Sequence, residues 1–129
     1  MQFFIQDVNY EHKWIRSAPA IGLSSGALLT IGGYDYDKYG RLDEIWKLYN
    51  DVWSLVGYLA QAVDTSSVLL VEDSSYVFPR YGDQGLQIQR INLDSDEQIL
   101  STDLLGDQRA KVYYPILFVT YVDFCSSGN

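Results

Sequence analysis

The sequence predicts an all-β domain, and three observations lead to that prediction. Aromatic residues make up 15% of the 129 residues, including eleven tyrosines and three tryptophans, and aromatic side chains favour the half-buried surface of a sheet. Short apolar runs recur about every ten residues, with turn-forming residues between them. Hydrophobic residues reach 47% of the chain, which is enough to bury one core in a single domain over residues 1–129.

The first third of the chain alternates between weak and clear strand signals. Residues 1–19 mix apolar and polar side chains, and we expect one edge strand and a loop there. The apolar run at 26–33 contains β-branched Thr30 and Ile31, so it predicts a buried strand that ends at the glycine pair Gly32-Gly33. A polar loop over 34–43 follows.

The stretch 44–63 is compatible with either a helix or two strands. Its apolar residues fall three and four positions apart, which is typical of an amphipathic helix. Asn50-Asp51 is a turn signal, however, and Gly57 costs a helix interior about 1 kcal/mol. Divided at that turn, the stretch becomes strands over 45–49 and 52–59, and periodicity alone leaves both alternatives open.

The sequence after residue 63 predicts a hairpin. An apolar run over 68–71 is followed by the turn residues Glu72-Asp73-Ser74, and 76–78 supplies the returning strand. Pro79 ends the hairpin because proline has no amide hydrogen for a further ladder bond.

The remainder predicts three further strand segments. Residues 86–93 alternate between apolar and polar, which is typical of a half-buried strand. The chain turns at 94–96 and can pair back over 98–102. Gly106-Asp107 breaks the pattern again, and 112–122 is a last β-rich segment.

The residues around the glycine pair resemble the Kelch repeat, in which each repeat of about 50 residues forms one four-stranded propeller blade. The resemblance rests on an apolar strand over 28–31, Gly32-Gly33, Tyr49, Trp53 and the hairpin over 68–78. It implies that the glycines allow a sharp backbone turn. It also implies that Tyr49 and Trp53 pack between neighbouring blades.

The resemblance implies about two to two and a half antiparallel blades, and it favours two strands over the helix in 44–63. A propeller closes with at least about four blades, so this one would be incomplete, and its open strand edges would favour self-association. The implied parts are a best-matching blade over 20–60, a degenerate blade over 61–105 with Pro79-Arg80-Tyr81-Gly82 in place of a glycine pair, and a terminal strand segment over 106–129.

Charge and reactive residues argue against several function classes. The net charge is −8 and the nine basic residues are scattered, so we expect neither nucleic-acid nor membrane binding. One histidine, His12, and one cysteine, Cys125, cannot build a zinc site or a recognisable nucleophile motif. We therefore expect no enzyme activity, no cofactor and no metal. The chain shows no signal-peptide pattern and no apolar run long enough to span a bilayer, which weakly favours the cytoplasm.

An acidic loop over 35–46 partly follows the template of a calcium-binding loop. Acidic residues occupy positions one, three and nine, and Gly40 occupies position six. Position twelve is Trp46, where the template requires a glutamate that binds calcium through both oxygens. The loss of that ligand predicts a solvated loop rather than a calcium site.

The same loop carries the best candidates for binding, which are Tyr34, Asp35, Tyr36, Asp37 and Tyr39. Tyrosine offers contact area at low entropic cost, and acidic neighbours favour a basic protein partner. Packing of these tyrosines on a neighbouring blade is an equally open alternative. We therefore expect a non-catalytic protein-interaction or scaffold module of Kelch type. The alternatives are a fragment of a propeller hydrolase or oxidase, and a structural accessory subunit.

Overall fold

The computed structural model describes residues 2–10, 13–80 and 85–108, with the backbone alone described for 2–10, 13, 14 and 16. These residues form antiparallel β-sheets, so the all-β prediction is confirmed. None of them forms a helix that could cross a membrane. The predicted strand segment at 112–122, His12 and Cys125 lie outside the described residues.

The first sheet is an antiparallel meander in chain order. β3 and β4 each pair with β2 on one side and with β5 on the other, so they act as two halves of one strand. Gly32-Gly33 lies at the break between these halves. The strands of this sheet are β1 (Gln2–Tyr10), β2 (Lys13–Gly22), β3 (Leu28–Ile31), β4 (Tyr34–Asp35), β5 (Gly40–Tyr49) and β6 (Val52–Val63).

The second sheet is also a meander, with each strand paired to the next along the chain. The predicted hairpin is confirmed, with Glu72 at a positive φ of 54° in its turn. We predicted that the last strand ends at residue 102 and that Gly106-Asp107 breaks the pattern. The strand instead continues to Asp107, and a register shift between Leu104 and Gly106 accommodates the glycine. The strands are β7 (Ser67–Val71), β8 (Ser74–Phe78), β9 (Gln87–Leu93) and β10 (Ile99–Asp107).

Two predictions for the first sheet were wrong. Where one edge strand and a loop were predicted over 1–19, residues 2–10 and 13–19 belong to a long hairpin of β1 with β2. β2 is a central strand that pairs with β1 on one side and with β3 and β4 on the other, so pairing across the sheet stabilises it where the local pattern is weak. The loop predicted at 34–43 is a short turn between β4 and β5.

The ambiguous stretch at 44–63 forms two strands, and the helix alternative was wrong. Asn50 and Asp51 have φ angles of 49° and 61°, and Tyr49 lies opposite Val52. Two central residues with positive φ define the tight hairpin turn whose twist matches that of its strands, and asparagine and aspartate tolerate this conformation best after glycine.

One apolar core is shared by both sheets. Its fully buried members include Ile31, Ile45 and Val63 from the first sheet and Val77 and Ile91 from the second. A second buried cluster consists of Ile15, Ala18, Leu42 and Trp46, against which Trp53 packs. Because Ile45 and Trp46 are consecutive in β5 and point to opposite faces, the first sheet is apolar on both faces.

The chain crosses from the first sheet to the second at the glycine pair. The Gly33 amide donates to the Val63 carbonyl at 2.8 Å, and the Thr65 amide donates to the Ser17 carbonyl at 3.0 Å. Arg41 Nε reaches Asp64 Oδ1 at 2.9 Å. The crossing backbone lies so close to Gly32 that a Cβ there would sit 2.4 Å from the Val63 oxygen. Gly32 is therefore required by the crossing.

Two glutamines join the sheets through their carboxamides. Gln89 is fully buried, and its side chain accepts from the Gln61 amide at 3.0 Å and donates to the Gln61 carbonyl at 2.9 Å. In return, the Gln61 side chain accepts from the Gln87 amide at 2.8 Å and donates to the Gly85 carbonyl at 2.9 Å. The Gln89 carboxamide therefore bonds to the backbone of β6 in the way that a neighbouring strand would.

Packing between β6 and β10 predicts a coupling between Gly57 and Ile99. A Cβ on Gly57 would lie 2.8 Å from Cδ1 of Ile99, whereas the next atom is at 3.6 Å. Gly57→Ala should destabilise the domain by about 1–2 kcal/mol. In an Ile99→Val background, which lacks Cδ1, the same change should be neutral or stabilising, because alanine suits a strand better than glycine.

A double-mutant cycle in urea measures this coupling, which should reach about 1–2 kcal/mol. Ile99→Val alone provides the control, with an expected loss of about 1 kcal/mol. Additive effects of the two changes would show that the strands do not pack as described.

Candidate functional site

The turn between β4 and β5 brings the five predicted binding residues together, and a buried carboxylate shapes it. Asp35 is 1% exposed. Its Oδ1 accepts from the amides of Asp37 at 2.9 Å and Lys38 at 3.2 Å. Such a bond from an aspartate to the amides that follow it fixes a tight turn. Asp35 stays one of the five predicted binding residues, and these two bonds show that its carboxylate also orders the turn.

The tyrosines of the turn differ in exposure. Tyr39 is 79% exposed and Tyr36 is 44% exposed, whereas Tyr34 is half-buried. The rings of Tyr34 and Tyr36 meet edge to face, with centroids 5.1 Å apart and planes inclined by 68°. This arrangement is the favoured geometry of an aromatic pair, so it restrains Tyr36. Asp37 is exposed beside these rings.

The other predicted motif residues lie elsewhere. Tyr49 is half exposed at the hairpin turn between β5 and β6, and Trp53 packs against the cluster that contains Trp46. The shared core between the sheets has neither residue among its described members. Tyr49 lies at the opposite end of β5 from residues 34–39, which we name the tyrosine turn. Tyr49 and Trp53 therefore form no common site with that turn.

A polar network on the second sheet was missed from the sequence. Arg90 Nη2 lies 3.0 Å from Asp103 Oδ2, and Asn92 Nδ2 donates to the same oxygen at 2.8 Å. Asn92 also donates to Ser101 and accepts from Ser74. Arg90 and Asn92 alternate with buried residues along β9, so the alternating pattern at 86–93 was the available signal.

The charges of this network reinforce each other. The hydrogen bond from Arg90, followed by the bond from Asn92, lowers the pKa of the Asp103 carboxyl. The hydrogen bond to Asp103, followed by the bond with Tyr76, raises the pKa of Arg90. Both groups are solvent-exposed, so water and salt screen the pair. The network is an ordered polar surface with its one arginine already neutralised.

The acidic residues of the calcium-loop template do not surround a common point. Asp35 Oδ1 is engaged by backbone amides, and Asp43 lies within β5 rather than in a loop. Across the described ranges, no three histidine, cysteine, aspartate or glutamate side chains could hold a metal ion together.

Comparisons with protein-family models and with curated proteins find no match to this chain. The geometry of the tyrosine turn therefore decides what it can do. The turn presents two exposed phenol rings, the Asp37 carboxylate and the Lys38 ammonium, and the bonds to the buried Asp35 fix its backbone. Such a surface can bind another molecule by contact area and charge.

Proposed function

We propose that this chain is a non-catalytic protein-interaction domain that binds a basic partner through the turn between β4 and β5. The observation that carries the proposal is the buried Asp35 carboxylate beneath the exposed Tyr36 and Tyr39. Because the turn is already ordered, binding loses little further conformational freedom there. Rigid tyrosines over an ordered scaffold are typical of protein-recognition surfaces.

The charge of the chain favours a basic partner. The net charge is −8, and the turn carries the exposed Asp37 beside the exposed Lys38, so the attraction comes mainly from the charge of the whole chain. An arginine or lysine of the partner could pair with the Asp37 carboxylate and lie against a tyrosine ring. Long-range attraction to an acidic domain would also raise the association rate of such a partner.

We also propose that the two sheets correspond to Kelch-type propeller blades. Two features support this assignment. The strands of each sheet follow chain order, and the consecutive sheets share one core, as neighbouring blades do. The second sheet, from Ser67 to Asp107, also nearly coincides with the degenerate repeat at 61–105. A propeller would require further blades from other chains or from a longer chain.

Selection from a displayed library of random peptides tests the interaction proposal. The wild-type domain should enrich peptides rich in arginine and lysine. These peptides should bind Tyr36→Ser/Tyr39→Ser at least about tenfold more weakly, since exposed tyrosines dominate such contacts. Tyr49→Ser, which removes a 50% exposed tyrosine at the far end of β5, is the control and should bind as the wild type does.

The proposal fails if no peptides are enriched, or if the enriched peptides bind the double variant as tightly as the wild type. Equal far-UV circular dichroism spectra of the three proteins would establish that the sheets remain intact, because every substituted residue is exposed.

A further inference from the structure

Exposed apolar side chains are concentrated on two strands that lie side by side. Of nine large exposed apolar or tyrosine side chains in the described part of the chain, three lie on β6 and three on β10. We name these six the β6–β10 edge surface; its members are Val52, Leu55, Tyr58, Leu100, Leu104 and Leu105. Val52 and Leu100 are 64% and 67% exposed.

Contacts between the two strands bring the middle of β6 beside the start of β10. The Thr102 hydroxyl donates to the Tyr58 carbonyl at 2.9 Å. The Ile99 side chain packs against Gly57, where any Cβ would meet it. Tyr58 on β6 and Leu100 on β10 therefore flank a direct contact. Apolar side chains concentrated in one place on a surface commonly mark an interaction site.

The charges along this edge are almost entirely negative. Neither β6 nor β10 contains a lysine or arginine, and β10 contains Asp103 and Asp107. The turn before β10 adds Asp94, Asp96 and Glu97. Arg90, which faces β10 from β9, is already paired with Asp103. At the start of β6, the nearest cation in the strand register is Lys47 of β5, which lies opposite Ser54.

We propose that the β6–β10 edge surface docks a segment of a partner protein in which apolar side chains alternate with lysine or arginine. Burial of the apolar side chains supplies the main driving force, and the acidic surroundings select a basic segment. A second copy of this chain fits less well, because two chains of net charge −8 repel each other. This surface is separate from the tyrosine turn and goes beyond the function proposed above.

A labelled synthetic peptide in which valine and lysine alternate is the probe, and fluorescence anisotropy measures its Kd. Leu100→Ser/Leu104→Ser should raise Kd about tenfold or more. Tyr49→Ser removes a 50% exposed tyrosine without changing charge and lies outside both proposed surfaces, so it should change Kd by less than about twofold. Should the leucine variant lose its fold, Val52→Ser/Tyr58→Ser on β6 provides the same test on the other strand.

Two further measurements test whether peptide binding requires the negative charges around the β6–β10 edge surface. Asp96→Asn/Asp107→Asn should weaken binding and reduce the dependence of Kd on salt. Peptides that alternate valine with glutamate, or serine with lysine, should bind much more weakly than the valine–lysine peptide.

Three results would overturn the proposal. The first is equal binding of the valine–lysine peptide by wild type and the leucine variant, or no binding by either. The second is tight binding of the valine–glutamate peptide. The third is sedimentation showing a wild-type dimer that the leucine variant does not form, because a second copy would then occupy the surface. Loss of library peptides from the tyrosine-turn variant leaves this test unaffected, so failures of the two proposals are distinguishable.

Discussion

Gly32→Ala should destabilise the domain by about 4 kcal/mol, the largest loss that we expect from any single methyl group in this chain. Gly32 has a φ of 66°, a conformation that costs a residue with a Cβ about 1–2 kcal/mol. The added Cβ would also lie 2.4 Å from the Val63 carbonyl oxygen. Because that oxygen belongs to the crossing backbone, relief requires the crossing to move and its bond to Gly33 to lengthen.

Gly26→Ala separates conformational strain from the steric overlap. Gly26 also has a positive φ, 91°, but no atom lies within 4 Å of its would-be Cβ. We expect a loss of only about 1–2 kcal/mol there. Urea unfolding followed by tryptophan fluorescence measures both variants. An equal loss of unfolding free energy in the two variants would show that the Val63 backbone does not lie against Gly32.

Gln89→Leu should destabilise the domain by about 3 kcal/mol. The substitution preserves volume and apolar packing, but it leaves the amide and carbonyl of Gln61 without the partners that now lie at 3.0 and 2.9 Å. Each partly buried group left unsatisfied costs about 1–3 kcal/mol. Gln98→Leu is the matched control. Gln98 is exposed in the turn before β10, and its replacement should change stability by no more than about 0.5 kcal/mol.

Gln89→Glu adds a dependence on pH that the leucine variant lacks. Burial disfavours the charged carboxylate, so the introduced carboxyl has a higher pKa in the folded than in the unfolded protein. The folded state then binds more protons, and stability falls as pH rises. We expect a deficit relative to wild type that grows between acidic and neutral pH in urea titrations. A deficit that does not vary with pH would mean that the carboxamide site is open to water.

The hairpins were predictable because their turn chemistry is local. Asn50-Asp51 supplies two residues that tolerate positive φ, and the strands on either side pair in the register that such a turn imposes. The helical spacing of apolar residues in 44–63 arose for a different reason. β5 is buried on both faces, and its pairing with β6 has two register shifts, so simple alternation is lost.

Long-range contacts account for what the sequence did not predict. Nothing near Gly32 indicates that Val63, thirty-one positions later, will cross above it. The glycine pair was recognised as a conformational feature, whereas the neighbour that requires it was not. β2 likewise depends on pairing with β3 and β4. The partnership of Gln61 and Gln89 spans twenty-eight positions and leaves no local signal.

The sequence predicted which residues lie in the candidate site but not what each of them does. The sequence placed Tyr36, Tyr39 and Asp37 on one exposed turn, and the structure does so as well. It could not indicate that Asp35 is turned inward to hold the backbone, because an aspartate in a loop has the same local pattern in both cases. The β6–β10 edge surface could not be predicted from the sequence for a similar reason, because the exposure of a leucine depends on which other residues pack over it.

The most direct test of the binding role is an NMR titration of the isotopically labelled domain with a peptide recovered from the library selection. We predict that backbone amide shifts change most within residues 34–39, and that the shared-core residues of β3 and β9 change little. Changes concentrated in other strands, with residues 34–39 unaffected, would contradict the assignment of the tyrosine turn as the recognition element.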